Sequence, residues 1–396
     1  MGQGQGLIVF PFTVPLDGRG NMLDAAQGVY GRSLARMLAE RLSDHPHLRA
    51  SLATLTADGP LDGQEGNGHG WVVASQPWNV EEACCIGLPE GTQYVLHGAA
   101  ELTDRVRIRI LLVDQPNRKL ALDHVVLRPR GELFAALDEA AVEVARALGE
   151  PPLPSAWPTR DVEAFLAYLR GRDLTAAHEA GVQVPDPAKS FDPYLEALRR
   201  DPQFAEAQER LLSLALDFAL GGRGPVEAAR TACERVLLLD EAAYRAHAAL
   251  AEIELARGDP RKAEEHLGAA LGLKPDWTPA YERLGTALVQ QQSYAAALPW
   301  FEKALGENPN DADALLGIGV ALAEGGRLEE AISAWRLAVA CGVHSAQLQE
   351  NLARAFGGLG RNREAREHRR EARRLRGTPR FGLDLLREAW QWLRRG

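Results

Sequence analysis

Few side chains in this sequence stand at spacings that could do chemistry, and each such group has a bland reading beside the reactive one. His45 and His47 flank Pro46 at the end of a helical stretch, where a metal ion or simple helix capping would use them. Glu81 and Glu82 beside Cys84 and Cys85 imitate a reactive-thiol site. No histidine stands near them in sequence to take the proton, and neighbouring acids raise a thiol pKa. His97 and His124 fall on strands read as neighbours, close enough to meet across a sheet but lacking a third ligand. The run Gly2-Gln3-Gly4-Gln5-Gly6 precedes a strand and does not open a helix, so its amides cannot cradle a phosphate. Cys84, Cys85, Cys233 and Cys341 suit neither a disulfide framework nor a paired metal clip. The residues therefore predict no catalytic group, cofactor or metal. An enzyme reading keeps only a hydrolase or transferase whose site is assembled on binding.

The elements that carry these residues must come from a chain of 396 residues, 46% hydrophobic and 25% charged. That composition excludes a disordered or fibrous chain and leaves room for two or three domains. No apolar run reaches the roughly 18 residues of a membrane span, and residues 1–12 lack a basic leader, so a cytoplasmic protein is expected. The net charge of -9 argues against a surface that coats nucleic acid throughout. Residues 361–396, however, hold twelve arginines against five acids.

The second half repeats itself. Leu250, Leu284, Ile318 and Leu352 lie 34 apart, each followed by a small residue, Ala251, Gly285, Gly319 or Ala353. Ala263, Ala297, Ala331 and Ala365 keep the same step, as do Ala270, Ala304, Ala338 and Ala372, with Pro275 and Pro309 closing two units. Thirty-four residues hold two helices of about a dozen residues with their turns. Small residues are needed where paired helices cross, and Leu288, Leu322, Phe356, Leu267, Phe301 and Trp335 fill the remaining space. One unit cannot bury its apolar face alone, whereas a stack can. Leu216, Ala229 and Val236 extend the register backwards, and 161–174 with 194–200 read as an earlier helix pair around a loop at 181–187. These ladders resemble the tetratricopeptide repeat family, with its small residues at the eighth, twentieth and twenty-seventh positions of each unit.

The first 150 residues change period. A strand at 6–12, a helix at 22–42, strands at 94–102, 106–113 and 120–127, and a helix at 132–148 describe an α+β domain, with Arg105, Arg107 and Arg109 alternating with Val106, Ile108 and Ile110. Phe10-Pro11-Phe12, Tyr94 to Gly98, Leu112-Val113-Asp114 and Leu133-Phe134 are similar to the TolB N-terminal-like domain, which in bacterial signalling proteins often precedes tetratricopeptide repeats. Such chains commonly carry an output module ahead of this domain; here the first strand opens the chain, and activity is expected to come from a partner. The expected architecture is an α+β domain (TolB N-terminal-like) at 1–150, a proline-rich linker at 151–160, an all-α tetratricopeptide solenoid of about six helix pairs at 161–377, and an amphipathic capping helix at 378–396. Residues 59–70 read as an inserted loop.

The resemblance implies a scaffold that binds a protein partner in the groove lined by the first helix of each unit. The ladder Glu252, Thr286, Val320 and Arg354 points into that groove, and Arg245, Glu282, Arg283, Gln290, Glu350 and Asn351 extend it. The lining lacks the repeated lysines and asparagines that grip a terminal carboxylate, so an internal segment or a folded partner is expected. The alternative is nucleic acid held by the arginine-rich terminus, against which Glu364, Glu367 and Glu371 stand interleaved as internal ion-pair partners.

Overall fold

The computed structural model describes residues 5–13, 25–52, 56–57, 70–71, 77, 79–84, 90–152, 154, 157–179, 187–222 and 224–376. Most of the loops expected at 59–70 and 181–187, and all of the helix expected at 378–396, lie outside them. The chain forms two compact units, Met1–Gln208 and Glu209–Gly396. Residues 151–160, read as a linker, fall inside the first unit.

The first unit runs β1 (Gln5–Val9), α1 (Ala25–Ser43), β2 (Leu48–Leu52), the two-residue strands β3 (Thr56–Ala57) and β4 (Gly70–Trp71), α2 (Val80–Cys84), β5 (Thr92–Leu102), β6 (Arg105–Asp114), β7 (Lys119–Pro129) and α3 (Leu133–Ala147). The main sheet has the order β2-β1-β5-β6-β7. β1 lies parallel to β2 and to β5, and β5, β6 and β7 form an antiparallel meander. The sheet is thus mixed, with one strand more than the sequence suggested. β2 spans only five residues, too short for its alternation to declare a strand, and it becomes one through the α1 crossover that returns it beside β1.

The alternation along β6 holds: Val106, Ile108 and Ile110 are fully buried and Arg105, Arg107 and Arg109 are exposed. The expected meeting of His97 and His124 does not occur. β6 separates their strands, His97 facing Leu111 and His124 facing Ile110. Burial, and secondarily the Arg109 charge, lowers the His97 imidazole to about 4, so it is neutral at physiological pH. Glu82 is occupied in capping its own short helix, exchanging hydrogen bonds with Asn79 at 2.8 and 2.9 Å.

Among the described residues six helix pairs follow: α4 (Val162–Glu179) with α5 (Asp192–Arg200), α6 (Ala205–Leu220) with α7 (Val226–Leu239), α8 (Tyr244–Arg257) with α9 (Pro260–Leu273), α10 (Pro279–Gln290) with α11 (Tyr294–Glu307), α12 (Ala312–Glu324) with α13 (Leu328–Ala340), and α14 (Ala346–Gly358) with α15 (Asn362–Arg376). The first pair belongs to the sheet's own unit. Arg32 of α1 holds Asp173 of α4 with two bonds of 2.8 and 2.7 Å, Arg172 of α4 reaches Glu40 at 2.7 Å, and Arg130 grips Glu163 at 2.6 and 3.0 Å. Phe134, Trp157, Phe165, Tyr168 and Phe204 continue this attachment as a chain of ring contacts.

In the second unit the 34-residue step is visible as geometry. A Cβ added to Gly285 would lie 2.7 Å from the Phe301 ring, and one added to Gly319 would lie 2.2 Å from Trp335 Nε1, so the small residues make room for the large ones. The turn inside each pair ends its first helix with a left-handed residue at Gly258 (φ 78°), Gln292 (φ 62°), Gly326 (φ 82°) and Gly360 (φ 74°). In three of the pairs, residues 19 apart meet side chain to side chain: His247 with His266, Tyr281 with Trp300, and Gln349 with His368.

Candidate functional site

The first helices of successive pairs touch one another, α10 with α12 and α12 with α14, so their outward faces form one continuous surface. Glu252 lies on α8, Glu282, Arg283, Thr286 and Gln290 on α10, Val320 on α12, and Glu350, Asn351 and Arg354 on α14. These helices start where their caps dictate. Asp311 accepts bonds from the amides of Asp313 and Ala314, Ser345 caps α14, and Pro279 opens α10.

The structure brings three of the expected residues together. Arg283 Nε sits 2.7 Å from Glu252 Oε1, and its Nη1 is 3.4 Å from Glu282 Oε1. All three side chains are largely buried. Sequence reasoning missed two more members, Asp311 and Asp313 at the start of α12. Glu282, Asp311 and Asp313 each bring a carboxylate oxygen within 4.8 Å of the others. Two acids thus flank the Arg283 guanidinium, and two more lie beside Glu282. Burial, with Asp313, Asp311 and Glu252 adding repulsion against the pull of Arg283, raises the Glu282 carboxyl to about 7. Burial also raises Glu252, which Arg283 opposes. The signal in the sequence is positional: Asp313 stands 34 residues after Pro279, in the same column of the unit as Arg245.

The other expected residues are partly spent on local bonds. Thr286 donates its hydroxyl to the Glu282 carbonyl at 3.0 Å, and Arg245 Nε meets the Tyr244 hydroxyl at 3.1 Å. Val320 packs against the core cluster around Trp335 and Phe356. Arg354 reaches Glu324 of the preceding pair at 2.9 Å, Glu350 pairs with Arg376, and Asn351 accepts from Gln347 at 3.1 Å. Gln290 is exposed at the end of its helix. Arg283 is therefore neutralised from two sides, and the surface as built attracts positive charge.

The side chains of Cys84 and Cys85, the pair that imitates a thiol site, lie outside the described residues. Cys233 is buried, which pushes its thiol up to about 12, and Cys341 is exposed on the turn after α13. No described helix is long and apolar enough to cross a membrane.

No curated protein matches the chain. Several solved structures are similar to part of it. MamA 41-end from Desulfovibrio magneticus RS-1 is 22% identical over 42% of this chain and 95% of that one, with a TM-score of 0.38. A MamA structure designated AMB-1 is 26% identical over 42% of this chain and 99% of that one, with a TM-score of 0.37. YrrB, described as a TPR protein with an unusual peptide-binding site, is 20% identical over 50% of this chain and 97% of that one, with a TM-score of 0.37. The tetratricopeptide repeat family model matches residues 280–342, from α10 to the end of α13. Glu282, Arg283, Asp311 and Asp313 all fall within that match, and Glu252 precedes it.

Proposed function

We propose that the chain is a non-enzymatic scaffold or adaptor whose first-helix surface, centred on α8, α10 and α12, binds an internal segment of a protein partner that carries basic side chains. The observation that carries this is the neutralisation of Arg283 by Glu252 and Glu282, with Asp311 and Asp313 beside them. A terminal carboxylate needs free cations, and here the cation is already taken. A lysine or arginine entering the cluster would offset the mutual repulsion of the acids and favour the ionised form of Glu282. The TolB N-terminal-like reading of residues 1–150 belongs to the same proposal and suggests work in bacterial signalling or complex assembly.

Fluorescence anisotropy of labelled peptides tests it. Peptides with an internal Lys/Arg pair should bind more tightly than equally long peptides with internal Asp/Glu, and Asp313→Lys should weaken the basic peptides at least tenfold. Equal affinity for basic and acidic peptides, or indifference to Asp313→Lys, would remove the proposal.

A further inference from the structure

The interleaving of acids and arginines along 361–376 suggests a helix that neutralises itself, and the structure shows that it does so on one side only. Arg361 pairs with Glu364 at 2.5 Å, Arg363 with Glu367 at 3.3 Å and Arg374 with Glu371 at 2.6 Å, while Arg376 crosses to Glu350. Arg366, Arg369, Arg370 and Arg373 are all exposed and carry no ion pair among the described residues. Their spacing of i, i+3, i+4 and i+7 gathers them into an arc of about 100° on α15, and the three helix acids lie at least about 60° from its nearer edge. Ala365 and Ala372 mark the buried side of the helix.

The place of this stripe in the repeat matters as much as its charge. Arg369 occupies the position of Leu267, Phe301 and Trp335, and Arg373 that of Leu271, Leu305 and Val339. Leu267, Phe301 and Trp335 are buried, whereas the corresponding α15 face is open and cationic. A further apolar helix cannot stack on four guanidinium groups without desolvating them.

We propose that this stripe is a docking surface for the phosphate backbone of double-stranded nucleic acid, bound without sequence preference. Arginine forks bind phosphate oxygens in pairs, and four of them over about 10 Å of helix can meet successive phosphates. No aromatic residue stands among them to stack on unpaired bases, which favours a duplex over a single strand. The negative charge of the chain as a whole opposes approach only weakly at physiological salt, where screening acts over about 8 Å.

The test is anisotropy of a labelled duplex of mixed sequence with the full chain, from 50 to 200 mM salt. Binding should weaken with a log-log slope no steeper than about -3.6, the limit for four released counterions. The quadruple variant Arg366→Gln, Arg369→Gln, Arg370→Gln, Arg373→Gln should lose at least tenfold in affinity. Arg363→Gln with Arg374→Gln, which removes paired arginines from the same helix, should stay within about threefold. Circular dichroism checks that both variants retain their helices. Absence of duplex binding by the natural chain at 50 mM salt would overturn the proposal, as would equal losses in the two variants. Binding of poly-glutamate with indifference to the duplex would overturn it in favour of an acidic protein.

Discussion

Glu282 shows how one side chain can set a pH response. Its carboxyl ionises near 7 in the fold, against about 4.5 when exposed, because burial and three nearby acids disfavour the charge. The folded chain therefore holds a proton that the unfolded chain has already released, so this stabilisation is complete below about pH 4.5 and disappears as pH rises through 7. Glu282→Gln is expected to remove that slope and to raise stability at pH 8 by up to about 3 kcal/mol, measured by urea unfolding at pH 5 and 8. An unchanged slope would assign the titration elsewhere. The composition of this cluster was half legible beforehand. The columns of the repeat gave Glu252, Glu282 and Arg283 as surface residues, but a sequence cannot show that the arginine is consumed by both acids. Asp311 also serves as the cap of α12, and a capping role hides a second use.

At the scale of the element, the 34-residue step was readable because small and large residues alternate with a fixed geometric purpose. The four left-handed turn residues were equally present in the sequence, yet Gln292 broke the glycine ladder and concealed it. A side chain in that conformation costs about 1 kcal/mol, so Gln292→Gly is expected to stabilise the second unit by about 0.5–1 kcal/mol in thermal unfolding. Ala331→Leu should do the opposite and cost about 1–3 kcal/mol, since Ala331 is fully buried at a helix crossing. β2 was illegible for another reason: five residues carry too little pattern, and only the parallel partnership with β1 makes them a strand.

For the molecule as a whole, the division of the chain does not follow its prolines. The first helix pair is tied into the sheet's unit by Arg32–Asp173, whose side chains are 16% and 13% exposed, and by Arg172–Glu40 and Arg130–Glu163. Asp173→Ala would strand a largely buried guanidinium. It should lower the stability of the first unit by about 1–3 kcal/mol, and hydrogen exchange should show α1 and α4 losing protection together. Loss confined to α4 would separate the helix pair from the sheet. Composition pointed to a boundary at 151–160 because proline runs read as spacers; two of the three attachments join residues more than a hundred positions apart, beyond any local pattern.

The residues that meet 19 apart in these three pairs have one further consequence. Rungs of nearly equal shape are held by unlike chemistry: two imidazoles with Nδ1 atoms 3.2 Å apart in α8–α9, a phenol against an indole in α10–α11, and an amide bonded to an imidazole at 2.7 Å in α14–α15. Burial lowers the pKa of both His247 and His266; the neighbouring charges acting on His266 are Glu254, Glu265, Glu234 and Lys262. Their contribution is intact above about pH 6.5 and fades as the medium becomes more acidic, because the unfolded chain takes up protons first. His247→Gln, which copies the arrangement of the last pair, should blunt that fading in melts recorded from pH 8 to 5. Burial lowers the His368 imidazole of α14–α15 as well, so a ladder whose steps look alike should yield to acid at its imidazole rungs first, with the phenol–indole rung between them still standing.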